Sequence, residues 1–465
     1  MPASIRAAAA NDSTKMEIDY SSEVEVLVPQ CVELGKARKV SDALDKLLAM
    51  EKQTRQAADA HSTSLILVAA VRVCFDAGEW SLLNEHIVLL TKRRTQLKQA
   101  VTKMIQEACT YVDAAPDSEK RVKLIETLRT VTEGKIYVEV ERARLTRRLA
   151  KMREDDGDVA GAAKILQDLQ VETFGSMEKR EKVEFILEQM RLCLANDDFV
   201  RTQIISKKIS VRFFETAADV HDLKLKYYEL MIRLGEHDDS FLAMSKHFQA
   251  VCDTGIISED PGKRQEALKN VVLCLLLSHY DNEQSDLVHR TSTNKFLEEI
   301  PTYRELLKLF ITMELIDWTK LCSAHETELR RGTDASPATR LFSSLEARGD
   351  ARWEIFHKRV IEHNIRVIAK YYSRISLARM SELLCLSTKE VEESLSSLVV
   401  DKTVHARTDR PGGIVSFQAP EDPNQVLNAW SRSLDSLMAL VNKTTHLVTK
   451  EEMVHSTASA SGVVH

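Results

Sequence analysis

The chain contains 465 residues, of which 44% are hydrophobic and 29% are charged, and its formal net charge is −6 at pH 7. This length fits two or three domains, or one elongated repeat array with a cap. The mild negative charge gives no electrostatic reason to expect a nucleic acid or an anionic membrane as a partner.

Turn-forming residues are scarce, and those in the first half of the chain are regularly spaced. The sequence has 14 glycines and nine prolines, and because both residues break helices, their scarcity favours an all-α body. Turn signals recur 38 to 43 residues apart, a distance that two antiparallel helices and their turns occupy. They begin at Gly35, Gly78, Pro116, Gly157, Asn196 and Gly235. We therefore predict a TPR-like α-solenoid over residues 22–260, after a disordered tail at 1–21.

The regular spacing fades after residue 260, and a different pattern begins near Trp353. Residues 261–352 combine further helical repeats with polar loops that lead into residues 353–420, where helix, turn, helix and hairpin follow in order. That order is typical of a winged helix. The predicted pieces are a helix at 376–384, a helix at 387–400, and strands at 404–407 and 414–417.

The second helix of this predicted winged helix has the wrong charge for reading DNA. In DNA-binding modules it enters the major groove, where phosphate contacts need Lys and Arg. Residues 387–400 hold one lysine, Lys389, against Glu390, Glu392 and Glu393. Ser387, with Glu390 three residues later, also predicts a capping box at the start of this helix. The acidic composition points toward a protein partner.

A last amphipathic helix is predicted over residues 424–453, followed by a disordered tail at 454–465. Apolar residues step by three and four along it, which is an a/d heptad stripe. The stripe comprises Leu427, Trp430, Leu434, Leu437, Val441 and Val448, with Thr444 in the same register. Such a helix either folds back on its own domain or joins helices of other chains in a bundle, and the spacing favours the bundle.

The hairpin of the winged helix is the second candidate interface. Two short strands leave at least one edge unpaired, and strand addition by a neighbouring subunit would satisfy its backbone groups. The residues that we expect at this edge are Val404, Ala406, Ile414, Val415 and Phe417.

The sequence offers no catalytic apparatus. It contains no phosphate-binding glycine loop, no HExxH or HxH metal motif and no Gly-x-Ser-x-Gly elbow. The eight cysteines lie at least 22 residues apart, so we interpret them as reduced thiols of a cytosolic or nuclear protein. No apolar run is long enough to span a bilayer. We predict no enzymatic activity, no metal or cofactor, and no membrane or nucleic-acid partner.

Two basic stretches, at residues 92–103 and 142–153, remain open to interpretation. The second contains Arg142, Arg144, Arg147, Arg148, Lys151 and Arg153 with no acidic residue among them. A solvated helix face, an acidic protein partner and RNA all fit this composition. No aromatic residues interleave the second stretch, which weakens the case for single-stranded nucleic acid.

Several strings resemble PCI-domain scaffold subunits of the proteasome regulatory-particle lid, in which a helical-repeat arm ends in a winged helix. The resemblance covers residues 15–455. Its strings are KRRTQLKQAV from 92, VTEGKIYVE from 131, VEFILEQMRLCL from 183, RTQIISKKI from 201, DNEQSDLVHR from 281 and LVNKTTHL from 440.

This resemblance implies a non-catalytic scaffold, found in cytoplasm and nucleus, that supports lid assembly and ATP-dependent degradation of ubiquitinated proteins. It implies winged helices of several PCI subunits associated edge to edge, and a bundle of their C-terminal helices. Further implied partners are the lid's deubiquitinating metalloprotease subunit, the ATPase ring and the α ring of the core particle. The alternatives are the paralogous PCI subunit of the signalosome, which acts in cullin deneddylation, and a winged-helix nucleic-acid or translation-initiation protein.

Overall fold

The structure, a computed structural model, forms two units, one ending at Pro261 and the other starting at Gly262. The residues that it describes are 19–37, 39–216, 220–333, 336–337, 339–343, 348–418 and 422–461. Most of the predicted N-terminal tail and the last four residues of the predicted C-terminal tail lie outside them.

Unit 1 consists of α-helices that follow one another with short turns, with 3-10 turns at Ile136–Val138 and Val171–Thr173. Its helices are α1 (Ser21–Lys36), α2 (Val40–Gln56), α3 (Ala60–Asp76), α4 (Trp80–Lys92), α5 (Lys98–Ala114), α6 (Ser118–Thr132), α7 (Glu139–Asp155), α8 (Val159–Gln167), α9 (Lys179–Ala195), α10 (Phe199–Ser206), α11 (Arg212–Thr216), α12 (His221–His237), α13 (Phe241–Cys252) and α14 (Gly255–Glu259). The helical array predicted from the turn spacing is confirmed.

Helices of neighbouring repeats stack in layers. Helix α3 packs against α5, α5 against α7 and α9 against α12, while α4 packs against α6. Polar contacts between α7 and α9 join residues that are 37 positions apart at both ends of these helices: Arg144 with Glu181, and Glu154 with Arg191. Because the offset is constant, successive repeats run in the same direction, as in an α-solenoid.

The glycines that mark the repeats act in two different ways. Gly78 and Gly157 have φ values of +74° and +88°, so they end helices in the left-handed region that favours glycine. Gly235 instead lies inside α12, and a Cβ atom there would be 2.6 Å from Cγ of Met244 on α13. The absence of a side chain at this position therefore allows α12 and α13 to approach each other closely.

Unit 2 begins with helices and continues into a small sheet. Its helices are α15 (Pro261–Leu277, starting at the boundary), α16 (Asn282–Ser292), α17 (Pro301–Ile311), α18 (Trp318–Arg330), α19 (Gly349–Tyr371), α20 (Leu377–Leu384), α21 (Thr388–Val400) and α22 (Pro423–Ser461), with 3-10 turns at Lys295–Glu299 and Arg340–Phe342. Its strands are β1 (Gly332–Thr333), β2 (Ser336–Pro337), β3 (Arg374–Ser376), β4 (Arg407–Asp409) and β5 (Ile414–Ser416).

The winged helix of unit 2 contains a strand that the sequence analysis missed. β3 pairs antiparallel with β5, and β5 pairs antiparallel with β4, so the strand order is β3-β5-β4. The predicted first strand at 404–407 is shifted, because only Arg407 of that range lies in β4. The predicted winged helix after a helical array is confirmed.

Buried polar side chains of α19 hold the winged helix to the preceding helices. Asn364 accepts a hydrogen bond from the backbone N–H of Ile316 at 2.8 Å and donates one to the carbonyl of Ile316 at 2.9 Å. Arg359 donates to the carbonyl of Leu277 at the end of α15 and pairs with Glu362 at 2.7 Å. These contacts satisfy backbone groups of Ile316 and Leu277, and they join α19 to the segments that precede it.

Candidate protein-interaction surfaces

The longest helix of the chain, α22, buries none of its described side chains. Every residue from 422 to 457 is exposed, including Trp430 at 63% and Leu434 at 44%. The six stripe residues that the sequence analysis names are all exposed. The fold-back alternative is therefore not what the structure contains.

The helix also runs further than predicted, to Ser461 rather than 453. No glycine or proline interrupts residues 424–461, and Gly462 is the first glycine after Pro423. The predicted disordered tail at 454–465 is thus helical through 461.

Apolar side chains of α22 cover more than an a/d seam. At 100° per residue, ten of the twelve large exposed apolar residues fall within about 180° of the helix circumference, a wider sector than a two-stranded coiled coil uses, and Met453 and Val454 lie outside it. The ten are Val426, Leu427, Trp430, Leu434, Leu437, Met438, Leu440, Val441, Leu447 and Val448. Ala439 lies on the opposite side, and Ser436 and Asn442 lie about 20° and about 40° beyond the two edges of the sector. A face this wide matches packing against two or more helices at once.

The winged-helix residues that were expected at an edge are mostly core residues. Val404, Val415 and Phe417 are buried in the hydrophobic core of the module, and Ala406 is partly buried against it. Ile414 alone among the five is exposed, at 43%. The prediction placed them at an edge because it did not include β3, which makes β5 the central strand. Side chains alternate between the two faces of β5, so the Val415 side chain points toward α20 and α21 rather than outward.

The two edges of this sheet are β3 and β4, and the one beside an open cleft is β4. Among the described residues, β4 pairs only with β5, and Arg407, Thr408 and Asp409 are all exposed. A cleft of about 1010 Å³ runs beside it, lined by α21 residues that include the exposed Val399 and Val400. A backbone edge next to an apolar shelf suits an added strand from another protein.

Helix α21 carries its acidic face next to this cleft. The predicted capping box is confirmed: the Ser387 hydroxyl accepts from the N–H of Glu390, and the Glu390 carboxylate accepts from the N–H of Ser387. The Ser387 hydroxyl also donates to the Glu390 carboxylate at 2.8 Å, and this bond, together with the one from the Ser387 N–H, holds the pKa of Glu390 below its usual range. Arg410 of the wing pairs with Glu392 at 2.6 Å, so this cation is already neutralised. The surface offers little to a phosphate backbone.

The basic stretches serve contacts within unit 1. Arg144, Arg147 and Arg148 reach carboxylates of neighbouring helices, namely Glu181, Glu184 and Asp113. In the first stretch, Arg93 pairs with the fully buried Glu51 of α2. These arginines join adjacent repeats, which accounts for much of their charge without an external partner.

The described residues include no group of three or more His, Cys, Asp or Glu side chains that could hold a metal ion. Burial raises the pKa of the Cys74 thiol to about 12 and that of Cys109 to about 11, so both stay protonated and poorly nucleophilic. No described helix combines the length and apolarity needed to cross a membrane.

Three family models match successive parts of the chain. The model described as PSMD12/CSN4, N-terminal, matches residues 42–260. The PCI domain model matches 325–419, and the model of the 26S proteasome regulatory subunit RPN5 C-terminal domain matches 424–456.

Curated relatives match nearly the whole chain. The 26S proteasome non-ATPase regulatory subunit 12 of Dictyostelium discoideum is 44% identical over 449 residues, covering 97% of this chain and 98% of the relative. Homolog A of Arabidopsis thaliana is 43% identical over 447 residues, 91% of this chain and 99% of the relative. RPN5 of Saccharomyces cerevisiae is 38% identical over 446 residues, 95% and 97%. The chain belongs to the family of 26S proteasome non-ATPase regulatory subunit 12.

Membership of the subunit 12 family confirms the resemblance drawn from the sequence strings. The N-terminal model is named for a proteasome and a signalosome subunit together. The C-terminal model and the full-length relatives are named for the proteasome. The signalosome alternative is therefore not favoured.

The subunit 12 family boundaries follow the structure of the chain. The C-terminal model begins at residue 424 and ends at 456, which places it entirely within α22. The PCI model ends at 419, after β5. The exposed helix is therefore a recognised part of this family rather than an irregular extension.

Proposed function

We propose that this chain is a non-catalytic scaffold subunit of the proteasome regulatory-particle lid, and that α22 is its main assembly element. The observation that carries the proposal is the wide apolar face of α22, which is exposed along its whole described length. Burying one Leu or Val side chain contributes about 1.5–3 kcal/mol. Several such residues on one face supply enough free energy to drive association with other helices.

The winged helix supplies a second contact of a different kind. A neighbouring PCI subunit adds to the outer edge of β4, and main-chain hydrogen bonds to Arg407–Asp409 provide the affinity. Side chains that rest on Val399 and Val400 of α21 give this contact its specificity. The edge contact fixes the order of subunits, and the helix bundle then holds them together.

Family membership also supports finer statements about partners and place. Under this proposal the helical array of unit 1 contacts the deubiquitinating metalloprotease subunit, the ATPase ring and the α ring of the core particle. The chain acts in cytoplasm and nucleus, where it supports degradation of ubiquitinated proteins without performing chemistry itself.

Removal of residues 424–465 tests the proposal. We expect the shortened chain to lose incorporation into the regulatory particle while the helical array and winged helix stay folded, because α22 buries nothing against them. Co-sedimentation with the particle and circular dichroism of the free chain are the measurements. Full co-sedimentation of the shortened chain would show that the helix is not the assembly element.

A further inference from the structure

The second helices of the repeats become shorter in the middle of unit 1. Helices α4 and α6 have 13 and 15 residues, whereas α8 and α10 have nine and eight. Both short helices pack on α9, and a cleft of about 680 Å³ opens between them. The cleft thus results from helix length, and it belongs to unit 1, whereas both surfaces of the proposed assembly function belong to unit 2.

The floor of this cleft is closed and polar groups there are satisfied. Gln189 of α9 is buried, and its side-chain amide donates to the carbonyls of Leu166 and Leu169 at 2.8 and 3.0 Å. These bonds cap carbonyl groups at the C-terminal end of α8, which would otherwise repel an anion.

Apolar side chains lie on both of the helices that border the cleft, α8 and α10. On α10, Ile204 lines the cleft and is 56% exposed, and Val200 one turn earlier is 71% exposed. On α8 the facing residues are the small Ala160 and Ala163. An apolar ridge opposite small residues leaves room for side chains of another segment.

A lysine comes after these apolar residues in sequence on each side of the cleft. Lys164 on α8 lines the cleft together with Asp168, and Lys207 is exposed directly after α10, next to the face of Val200 and Ile204. Neither lysine has an ion-pair partner among the described residues, whereas Arg201 and Lys208 pair with Asp198 and Glu172. Because successive repeats run in the same direction, the two unpaired lysines lie toward the same end of the cleft.

We propose that this cleft binds a short acidic segment of a partner protein, in which one or two apolar side chains precede carboxylates. The apolar residues rest on Ile204 and Val200, and the carboxylates pair with Lys164 and Lys207. Charge complementarity selects an acidic partner, because three cations, Lys164, Arg201 and Lys208, line the cleft against one carboxylate, Asp168. A nucleic acid would leave the Val200–Ile204 ridge without a function.

A peptide titration with the isolated full-length chain tests this proposal independently of lid assembly. The probe is a fluorescein-labelled peptide of about twelve residues, with two leucines four positions apart followed by glutamates, and a matched peptide carries lysines instead. We expect saturable binding of the acidic peptide that weakens as salt is raised from about 50 to 200 mM.

The variant Lys164→Glu/Lys207→Glu should bind the acidic peptide about tenfold more weakly, since attraction becomes repulsion at both positions. Lys226→Glu on α12, an exposed lysine outside the cleft, is the matched control and should bind as the unchanged chain does. Equal binding by the double variant, equal binding of the lysine peptide, or no saturable binding below about 1 mM would each overturn the proposal. Unchanged thermal unfolding of the variants confirms that they are folded.

Discussion

Replacing Leu434, Leu437 and Val441 together with aspartate is expected to reduce incorporation of the chain into the regulatory particle by about a hundredfold or more. Each of these side chains is exposed in the free chain, and burying each contributes about 1.5–3 kcal/mol. Three aspartates remove that contribution and add charges that a helix bundle would have to desolvate. Incorporation is measured by reconstituting the particle with tagged chain and quantifying the bound fraction.

Positions of the same helix outside the apolar sector provide the control. Ser436→Asp/Ala439→Asp/Asn442→Asp adds the same three charges to the same stretch of the helix, but outside that sector. This variant should incorporate almost as well as the unchanged chain. If the two triple variants behaved alike, the apolar face would have no special role in assembly.

Replacing Glu51 with alanine is expected to destabilise unit 1 by about 3–5 kcal/mol, the usual cost of removing one partner from a buried ion pair. The Glu51 side chain is 0% exposed and contacts Arg55, Arg93 and the amide of Gln96. Its loss leaves two guanidinium groups, exposed by only 14% and 24%, without a carboxylate. The thermal unfolding midpoint of unit 1 should fall by roughly 10 °C.

Glu33→Ala on α1 is the matched control for this second prediction. Glu33 is exposed, and its removal should change the midpoint by no more than a surface substitution does. Circular dichroism during heating measures both variants. A midpoint for Glu51→Ala within a degree or so of the control would mean that the Glu51 network contributes little to stability.

Periodic features of the chain are the ones that its sequence predicts well. Turn residues recur because each repeat must reverse direction twice, so Gly78 and Gly157 mark true turns with positive φ. The stripe on α22 is readable because 3.6-residue periodicity acts over many turns. The capping box at Ser387 and Glu390 is local, and local hydrogen bonds depend on neighbours in sequence alone.

Features that depend on distant residues escaped prediction. β3 has three residues, too few for a period, and it exists because β5, some forty residues later, supplies its hydrogen bonds. Missing β3 made β5 look like an edge and turned Val415 outward in the prediction. The cleft between α8 and α10 likewise arises from the lengths and stacking of helices, which no short stretch of sequence indicates.

Local sequence also could not predict which residues the arginines of the basic stretches contact. Arg144 and Arg147 meet Glu181 and Glu184, both 37 positions later, and this pairing appears only once the repeats stack. The composition of the stretch shows the arginines but not their carboxylate partners. The stacked structure shows that the array uses them to join its own repeats.

Hydrogen exchange along α22, compared between the free chain and the assembled regulatory particle, tests the central claim most directly. In the free chain every described side chain of the helix is exposed, so its amides should exchange quickly. In the particle, amides around Leu434 to Val448 should exchange at least about a hundredfold more slowly, because opening the helix would expose the buried face. Equal exchange in both states would contradict the claim that this helix is the assembly element.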